Sequence, residues 1–150
     1  FCVGEVSPEV KALLDATKAA LYAGIDQAYP GKRLGDIGSA IQDYCVERGY
    51  GIVREFVGHG IGKKMHEDPQ VPNFGRRGSG MPLKNGLCIA IEPMITMGER
   101  HLAMLPDRWG VVTRDGKPAA HFEHTIAIHH GKADILSTFE TIEAIERQQH

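Results

Sequence analysis

The sequence predicts an α+β fold in which two helices cover a mostly antiparallel sheet. Helical periodicity of apolar residues is confined to the first third of the 150-residue chain. The remainder consists of short apolar segments separated by turns rich in glycine and proline, which is typical of strands in an antiparallel sheet. Helices that come first and strands that follow indicate two layers within one domain.

The first helix is predicted to begin at Ser7-Pro8-Glu9, because serine is a favoured N-cap and proline is favoured in the first turn. Its apolar face consists of Val10, Leu14, Thr17, Leu21 and Ile25, which recur at helical spacing. Pro30-Gly31 is expected to end this helix. Phe1-Cys2-Val3 is expected to form a strand, and a start at Phe1 rather than Met suggests a piece of a longer polypeptide.

The second helix is predicted to follow Pro30-Gly31 and to end near Gly49, since glycine is common just after a helix C-terminus. One apolar stripe marks the face that it buries: Ile37, Ala40, Ile41, Tyr44 and Cys45.

Four or five strands are predicted in the rest of the chain. The apolar segments that indicate them are 52–57, 87–96, 111–113, 119–129 and 135–138. A glycine-rich loop is expected at 58–62, an irregular segment at 68–86 and a hairpin turn at Asp115-Gly116. Residues 139–150 are expected to form a polar tail that contains a short helix from Ile142.

Composition excludes several classes of protein. Hydrophobic residues make up 42% of the chain and charged residues 24%, so the chain as a whole is not predicted to be disordered. A net charge of −2 argues against binding of nucleic acid, and no apolar run approaches the ~18 residues of a membrane span. Three cysteines without a CxxC pattern argue against a disulfide scaffold and fit a reducing compartment such as the cytoplasm.

The first candidate for chemistry is His59, which stands between Gly58 and Gly60 at the end of an apolar segment. Glycines allow close approach and leave the imidazole accessible, although a histidine on a surface loop would show the same pattern. The glycine spacing does not match a dinucleotide-binding or phosphate-binding loop. His66 lies seven residues further on, in a Met65-His66-Glu67 context that does not match the H-E-x-x-H zinc motif.

Two carboxylates stand in apolar segments. Glu92 follows Ile89-Ala90-Ile91, and because burying an unpaired carboxylate is costly, it should be paired, neutralised, metal-bound or turned outward. Glu123 would share a strand face with His121 and Thr125, and this face could be a polar site or solvent-exposed. One imidazole and two carboxylates, from His59, Glu92 and Glu123, would suit Mn, Fe, Co or Zn, but their spacing alone leaves convergence open.

These segments together resemble type I methionine aminopeptidases. The resemblance is carried by the runs Arg54–Pro72, Ile91–Met94 and Phe122–Thr125, and Trp109 and Thr113–Gly116 match the order of the family. It extends from Phe1 to about Thr138 and implies a pita-bread (creatinase/aminopeptidase-like) fold. Residues 1–150 would then form a partial catalytic domain, the second half of that fold, without its first half.

The resemblance also implies a site with two divalent metal ions and five ligands. His59, Glu92 and Glu123 match three ligands, and the two aspartate ligands belong to the first half and would lie outside this chain. Glu123 would bridge the ions, and Glu92 would also assist proton transfer from water. Further residues would contact the substrate: His66 at the scissile bond, and Met65 and Trp109 in the pocket for the methionine side chain.

The function expected from the resemblance is metal-dependent removal of the N-terminal methionine from nascent proteins and peptides. Activity would require the first half, which could come from a separate fragment, and unpaired sheet edges would otherwise favour self-association. An alternative is a catalytically inactive pita-bread module that binds peptides or a partner protein. A proline-specific peptidase of the same fold is disfavoured by Trp109 and by Gln70-Val71-Pro72.

Overall fold

The computed structural model describes residues 2–148, which form three helices and ten short strands. The helices are α1 (Pro8–Ile25), α2 (Leu34–Val46) and α3 (Glu140–Gln148). The strands are β1 (Gly51–Ile52), β2 (Gly58–Gly60), β3 (Glu67–Val71), β4 (Cys88–Ile91), β5 (Met94–Thr96), β6 (Leu102–Met104), β7 (Val111–Thr113), β8 (Ala119–His121), β9 (His124–Ile128) and β10 (Ala133–Ile135). The α+β class predicted from the sequence is confirmed.

All strand pairs are antiparallel, and they form three sheets. The largest has the order β10-β9-β4-β2-β3, a second has the order β1-β5-β8, and β6 and β7 form a separate hairpin. Strand β4 is therefore central in the largest sheet, while β3 and β10 are its edges.

Both predicted long helices are present, and their apolar faces form one core with the sheets. The Ser7 hydroxyl accepts the Val10 N–H at the start of α1, as the sequence indicates. Helix α1 ends at Ile25, five residues before Pro30, where the Asp26 N–H still donates to the carbonyl of Tyr22. The core includes these fully or almost fully buried side chains: Leu13, Leu21, Ile37, Ile41, Ile89, Ile91, Ile95, Ile126 and Ile128.

The sequence-based prediction of the strands needs correction at several places. The predicted strands 87–96 and 119–129 are each two strands, β4 with β5 and β8 with β9, and each pair lies in two different sheets. The predicted glycine-rich loop contains β2, and the predicted irregular segment 68–86 overlaps β3. The turn at Asp115-Gly116 does not join paired strands, because β7 pairs with β6 and β8 pairs with β5.

The two ends of the chain give different outcomes. Cys2 and Val3 are not in a strand, and Phe1 lies outside the described residues. The short helix expected from Ile142 is present as α3, and an ion pair between Lys18 and Glu143 joins it to α1. Within residues 2–148, no helix is long and apolar enough to cross a membrane.

One register runs through the break that separates the two larger sheets. Ile91 faces His124 before the break, and Met94 faces His121 after it. The same number of residues, two, is skipped on each strand, so the pairing does not slip. Pro93 has no N–H to donate to a neighbouring strand, while its carbonyl accepts the Phe122 N–H at 3.4 Å. The break therefore leaves the register intact and interrupts only the ladder of hydrogen bonds.

His124 lies on the helix-facing side of this break and is only 2% exposed. It links the break to neighbouring elements through two hydrogen bonds. The Ser137 hydroxyl accepts the Thr125 N–H, so its own proton can donate to Nδ1 of His124, 2.8 Å away. Nε2 of His124 then carries the proton that faces the Tyr22 hydroxyl at 3.1 Å. Burial lowers the pKa of His124, and nearby Lys18 acts in the same direction. A neutral imidazole thus joins α1 to β9 and to the segment before α3.

Replacing Tyr22 by Phe tests this connection. The variant leaves the buried Nε2–H of His124 without its partner, so we expect the free energy of unfolding to fall by about 1–2 kcal/mol. Urea denaturation followed by circular dichroism measures the change. Tyr44→Phe is the matched control, because the Tyr44 ring contributes through its contact with the Arg48 guanidinium, which Phe keeps. Equal stability of the two variants would contradict the assignment.

Candidate metal centre

The candidate ligands lie on one face of the largest sheet because of the continuous register. One step beyond Ile91 and His124, Glu92 lies opposite Glu123, and residues directly opposite in an antiparallel pair share a face. His59 lies on the neighbouring strand β2 and pairs with Ala90, which is two residues before Glu92 and so points to the same side. Side chains from three separate segments therefore lie next to one another on the same face of the sheet.

The structure brings one potential ligand atom from each of the three side chains close together. One ligand atom from each of His59, Glu92 and Glu123 lies within 4.8 Å of the other two. Nε2 of His59 is 3.4 Å from Oε1 of Glu92, and these two side chains are only 15% and 13% exposed. Glu123 is exposed and forms the open side of the cluster. Neither carboxylate is turned away from the other.

His59 is oriented by its own backbone neighbour. Its Nδ1 lies 2.9 Å from the carbonyl oxygen of Gly60, and since a carbonyl can only accept, Nδ1 carries the proton. In the neutral ring, the lone pair of Nε2 then faces a carboxylate oxygen of Glu92. Two lone pairs directed at each other are unfavourable, and a cation between them would remove the conflict. A histidine whose second nitrogen donates to a carbonyl is the usual arrangement of a metal ligand.

The glycines beside His59 have a role that differs from the one expected from the sequence. A Cβ atom at Gly58 would lie 2.2 Å from the carbonyl oxygen of Ala90, and one at Gly60 would lie 2.2 Å from that of Asp68. The neighbouring strands approach too closely for any side chain at these positions. Glycine therefore permits the pairing of β2 with β3 and β4 that fixes His59, instead of forming a loop that exposes it.

The donor set fits a divalent cation. Like charges directly opposite each other on a sheet are destabilising, and Glu92 and Glu123 form such a pair. An imidazole nitrogen and carboxylate oxygens are ligands that Mn, Fe, Co and Zn share. A cation bound by His59, Glu92 and Glu123 would offset both the carboxylate repulsion and the facing lone pairs. The geometry therefore supports the ligand set that the sequence suggested.

Asn73 is a residue of the site that sequence reasoning missed. It is completely buried, and its side-chain N–H donates to the carbonyl oxygen of Glu92 at 2.9 Å. Its side-chain oxygen has no hydrogen-bond partner among the described residues. This bond fixes the Glu92 backbone just where Pro93 interrupts the ladder. An asparagine within the glycine- and proline-rich stretch gave no local signal of burial.

His66 lies beside the cluster. Its ring centroid is 4.1 Å from that of His59, with the planes tilted by 47°. Both histidines line an open cavity of about 670 Å³, together with Lys64, Glu67 and other residues of β2 and β3. A ligand in this cavity can therefore contact both imidazoles.

Met65 and Trp109, predicted to line a methionine pocket, are largely solvent-exposed. Met65 is 72% exposed, and Trp109, between β6 and β7, is 90% exposed. Neither lines the cavity beside His66. Their role as pocket walls stays a prediction.

Comparisons with known proteins agree on one family. The model of metallopeptidase family M24 matches residues 1–130. Methionine aminopeptidase 1 of Bacillus subtilis is 50% identical over 137 residues, which cover 91% of this chain and 55% of that protein. A methionine aminopeptidase of Clostridium acetobutylicum is 47% identical over 140 residues, or 93% of this chain and 56% of that protein. The chain thus spans about half the length of the curated relatives it matches.

Solved structures confirm the predicted fold. The crystal structure of a methionine aminopeptidase from Thermotoga maritima has a TM-score of 0.88 and 43% identity, and the match covers 91% of this chain and 55% of that one. An X-Pro aminopeptidase from the same organism has a TM-score of 0.66 at 24% identity and covers 91% of this chain and 33% of that one, which shows a shared fold. The predicted pita-bread architecture is therefore confirmed.

Metal binding by the three side chains can be measured as stabilisation. At a free Mn²⁺ or Co²⁺ concentration 100 times the dissociation constant, the free energy of unfolding should rise by about 2.7 kcal/mol. Glu123→Gln should reduce the affinity and so diminish the gain at the same concentration. Thermal unfolding with and without metal measures it, with Glu140→Gln as the control, because Glu140 is exposed at the start of α3. If metal stabilised the unaltered chain and the Glu123→Gln variant equally, Glu123 would be excluded as a ligand.

Proposed function

The chain belongs to metallopeptidase family M24, and we propose that its function is the metal-dependent removal of N-terminal methionine from proteins and peptides. The observation that carries the proposal is the convergence of His59, Glu92 and Glu123 on one sheet face, with the His66 ring next to that of His59. The identities of 41–50% to methionine aminopeptidases support this choice of substrate within the family. Sequence features that disfavoured a proline-specific peptidase point the same way.

His59, Glu92 and Glu123 would hold the metal, and the resemblance to the family implies two ions in a complete site. When bound, divalent ions lower the pKa of water and stabilise the negative charge that develops on a peptide carbonyl. Co, Mn, Fe and Zn all suit these ligands. The carboxylate of Glu92 lies beside the His59 imidazole and would accept a proton there.

His66 would act on the substrate directly. Its side chain is exposed to the cavity next to His59, so a peptide whose first amide bond lies over the cluster would come within its reach. A hydrogen bond from the imidazole to the reacting amide would orient that bond and stabilise its transition state. Trp109 and Met65 would enclose the methionine side chain once a substrate or a further segment brings them together.

We also propose that the remaining ligands come from the portion of the relatives that this chain does not match. That portion is about 45% of the Bacillus subtilis protein. Glu123 lies on the exposed side of the cluster, so further carboxylates can approach from that side. They could be supplied by an associated first-half fragment or through self-association. A cytoplasmic location would accord with a nascent-chain substrate and with free thiols.

A catalytically inactive peptide-binding module is the second candidate. The exposure of Trp109 and Met65 favours it, because no enclosed methionine pocket is formed by these two residues. The position of His66 next to His59 favours the enzyme, since a binding module has no need for an imidazole next to a ligand cluster. The two candidates differ in whether a peptide is cleaved or only retained.

Release of methionine from a Met-Ala-Ser peptide in the presence of Co²⁺ or Mn²⁺ tests the function. We expect the 150-residue chain alone to act far more slowly than a preparation that contains the unmatched first part of a relative, because the resemblance implies two further aspartate ligands. Methionine release that rises on addition of this part supports the proposal. Binding of the peptide without release under either condition would favour the binding module.

The role of His66 can be separated from metal binding. In the active preparation, His66→Ala should lower kcat by about 10²–10⁴-fold, which is typical of the loss of a catalytic proton donor. Metal affinity should stay unchanged, because His66 is not one of the three clustered ligands. His129→Ala, at an exposed histidine after β9, is the control. A parallel loss of metal affinity and kcat would instead make His66 a ligand.

A further inference from the structure

His121 lies on the opposite side of Glu92 from His59. Its Nε2 is 3.3 Å from Oε2 of Glu92, while Nε2 of His59 is 3.4 Å from Oε1. The two carboxylate oxygens of Glu92 therefore face two different imidazoles. We propose that His121 is a positioning residue that holds Oε2 of Glu92 and so directs Oε1 toward His59 and the metal. This inference rests on the proposed function, in which Glu92 is a ligand.

The backbone fixes where His121 stands relative to Glu92. His121 is the last residue of β8 and pairs with Met94, which is two residues after Glu92. The Phe122 N–H donates to the carbonyl of Pro93, so the two segments are also joined within the break. His121 is thus a diagonal cross-strand neighbour of Glu92, and such neighbours are within reach of long side chains. The contact follows from the sheet register and not from a flexible loop.

The charges around Glu92 require such a contact. Glu123 lies directly opposite and would repel the Glu92 carboxylate, and a glutamate side chain has three torsions through which to move away. His121 is placed so that its imidazole attracts the distal oxygen and opposes that movement. Its nitrogens do not belong to the group whose ligand atoms all lie within 4.8 Å of one another. His121 therefore acts through Glu92 and is not itself a metal ligand.

Groups that orient metal ligands usually change the affinity for the metal by about 10–100-fold when they are removed. His121→Leu should therefore weaken Mn²⁺ or Co²⁺ binding by at least about 10-fold. His121→Gln keeps an N–H donor close to the position of Nε2, so it should bind within about 3-fold of the unaltered chain. This rescue by glutamine distinguishes positioning from ligation, because an amide nitrogen does not replace imidazole on a metal.

Titration calorimetry of the full 150-residue chain with Mn²⁺ or Co²⁺ alone measures these affinities. His129→Leu serves as the control, since His129 is exposed after β9. The unaltered chain, His129→Leu and His121→Gln should bind the metal with similar affinity, and His121→Leu should bind it more weakly. Equal binding by His121→Leu and the unaltered chain would overturn the proposal. A loss in His121→Gln as large as that in His121→Leu would also overturn it and would make His121 a ligand.

A metal-free measurement separates this inference from the proposed function. The ring ¹⁵N shifts of His121 should change on Glu92→Gln at one fixed pH, because its nitrogen faces the altered group at 3.3 Å. The shifts of His129 should not change. Unaltered shifts at His121 would refute the contact whether or not metal binds. If the unaltered chain bound no metal while the His121 shifts changed, the proposed function would fail and the contact between His121 and Glu92 would stand.

Discussion

The continuous register across the break between the two larger sheets is the constraint on which the site depends. It places Glu92 opposite Glu123 with no freedom to slip, because a slip by one residue would move every side chain to the other face. On the helix-facing side of these two paired segments, such a slip would expose Ile91 and His124, which are buried in the core. The energy of the core therefore fixes the relative positions of the two carboxylates.

Each of the two segments that meet at the break has one face toward the helices and one toward the cluster. His124 faces the helices and joins Tyr22 to Ser137, while its neighbour Glu123 faces the cluster. The other segment is held by Asn73, which is buried and donates a hydrogen bond to the carbonyl of Glu92. The polar contacts that stabilise the layers also hold the ligand backbone in place, so the site and the fold are stabilised by the same bonds.

The sequence predicted the elements with local signals and could not predict their meeting point. Both long helices follow from a period that is visible within each segment, and Glu92 was conspicuous as a carboxylate in an apolar run. Its position opposite Glu123 depends on pairing between segments about thirty residues apart, which no local pattern encodes. The loop predicted at Gly58-His59-Gly60 was wrong for a related reason. These glycines are needed because the backbones of Ala90 and Asp68 approach closely, and these residues lie in other strands.

The burial of the three candidate ligands is unequal, and this determines how the cluster can be completed. His59 and Glu92 are mostly buried, and His59 pairs with strands on both sides, whereas Glu123 is exposed. Glu123 also borders a groove of about 1130 Å³ between the segment before α1, α1 itself and α3. Additional oxygen ligands can approach from this side without disturbing β2 or β4. The sheet therefore presents a candidate metal site whose exposed side faces the groove.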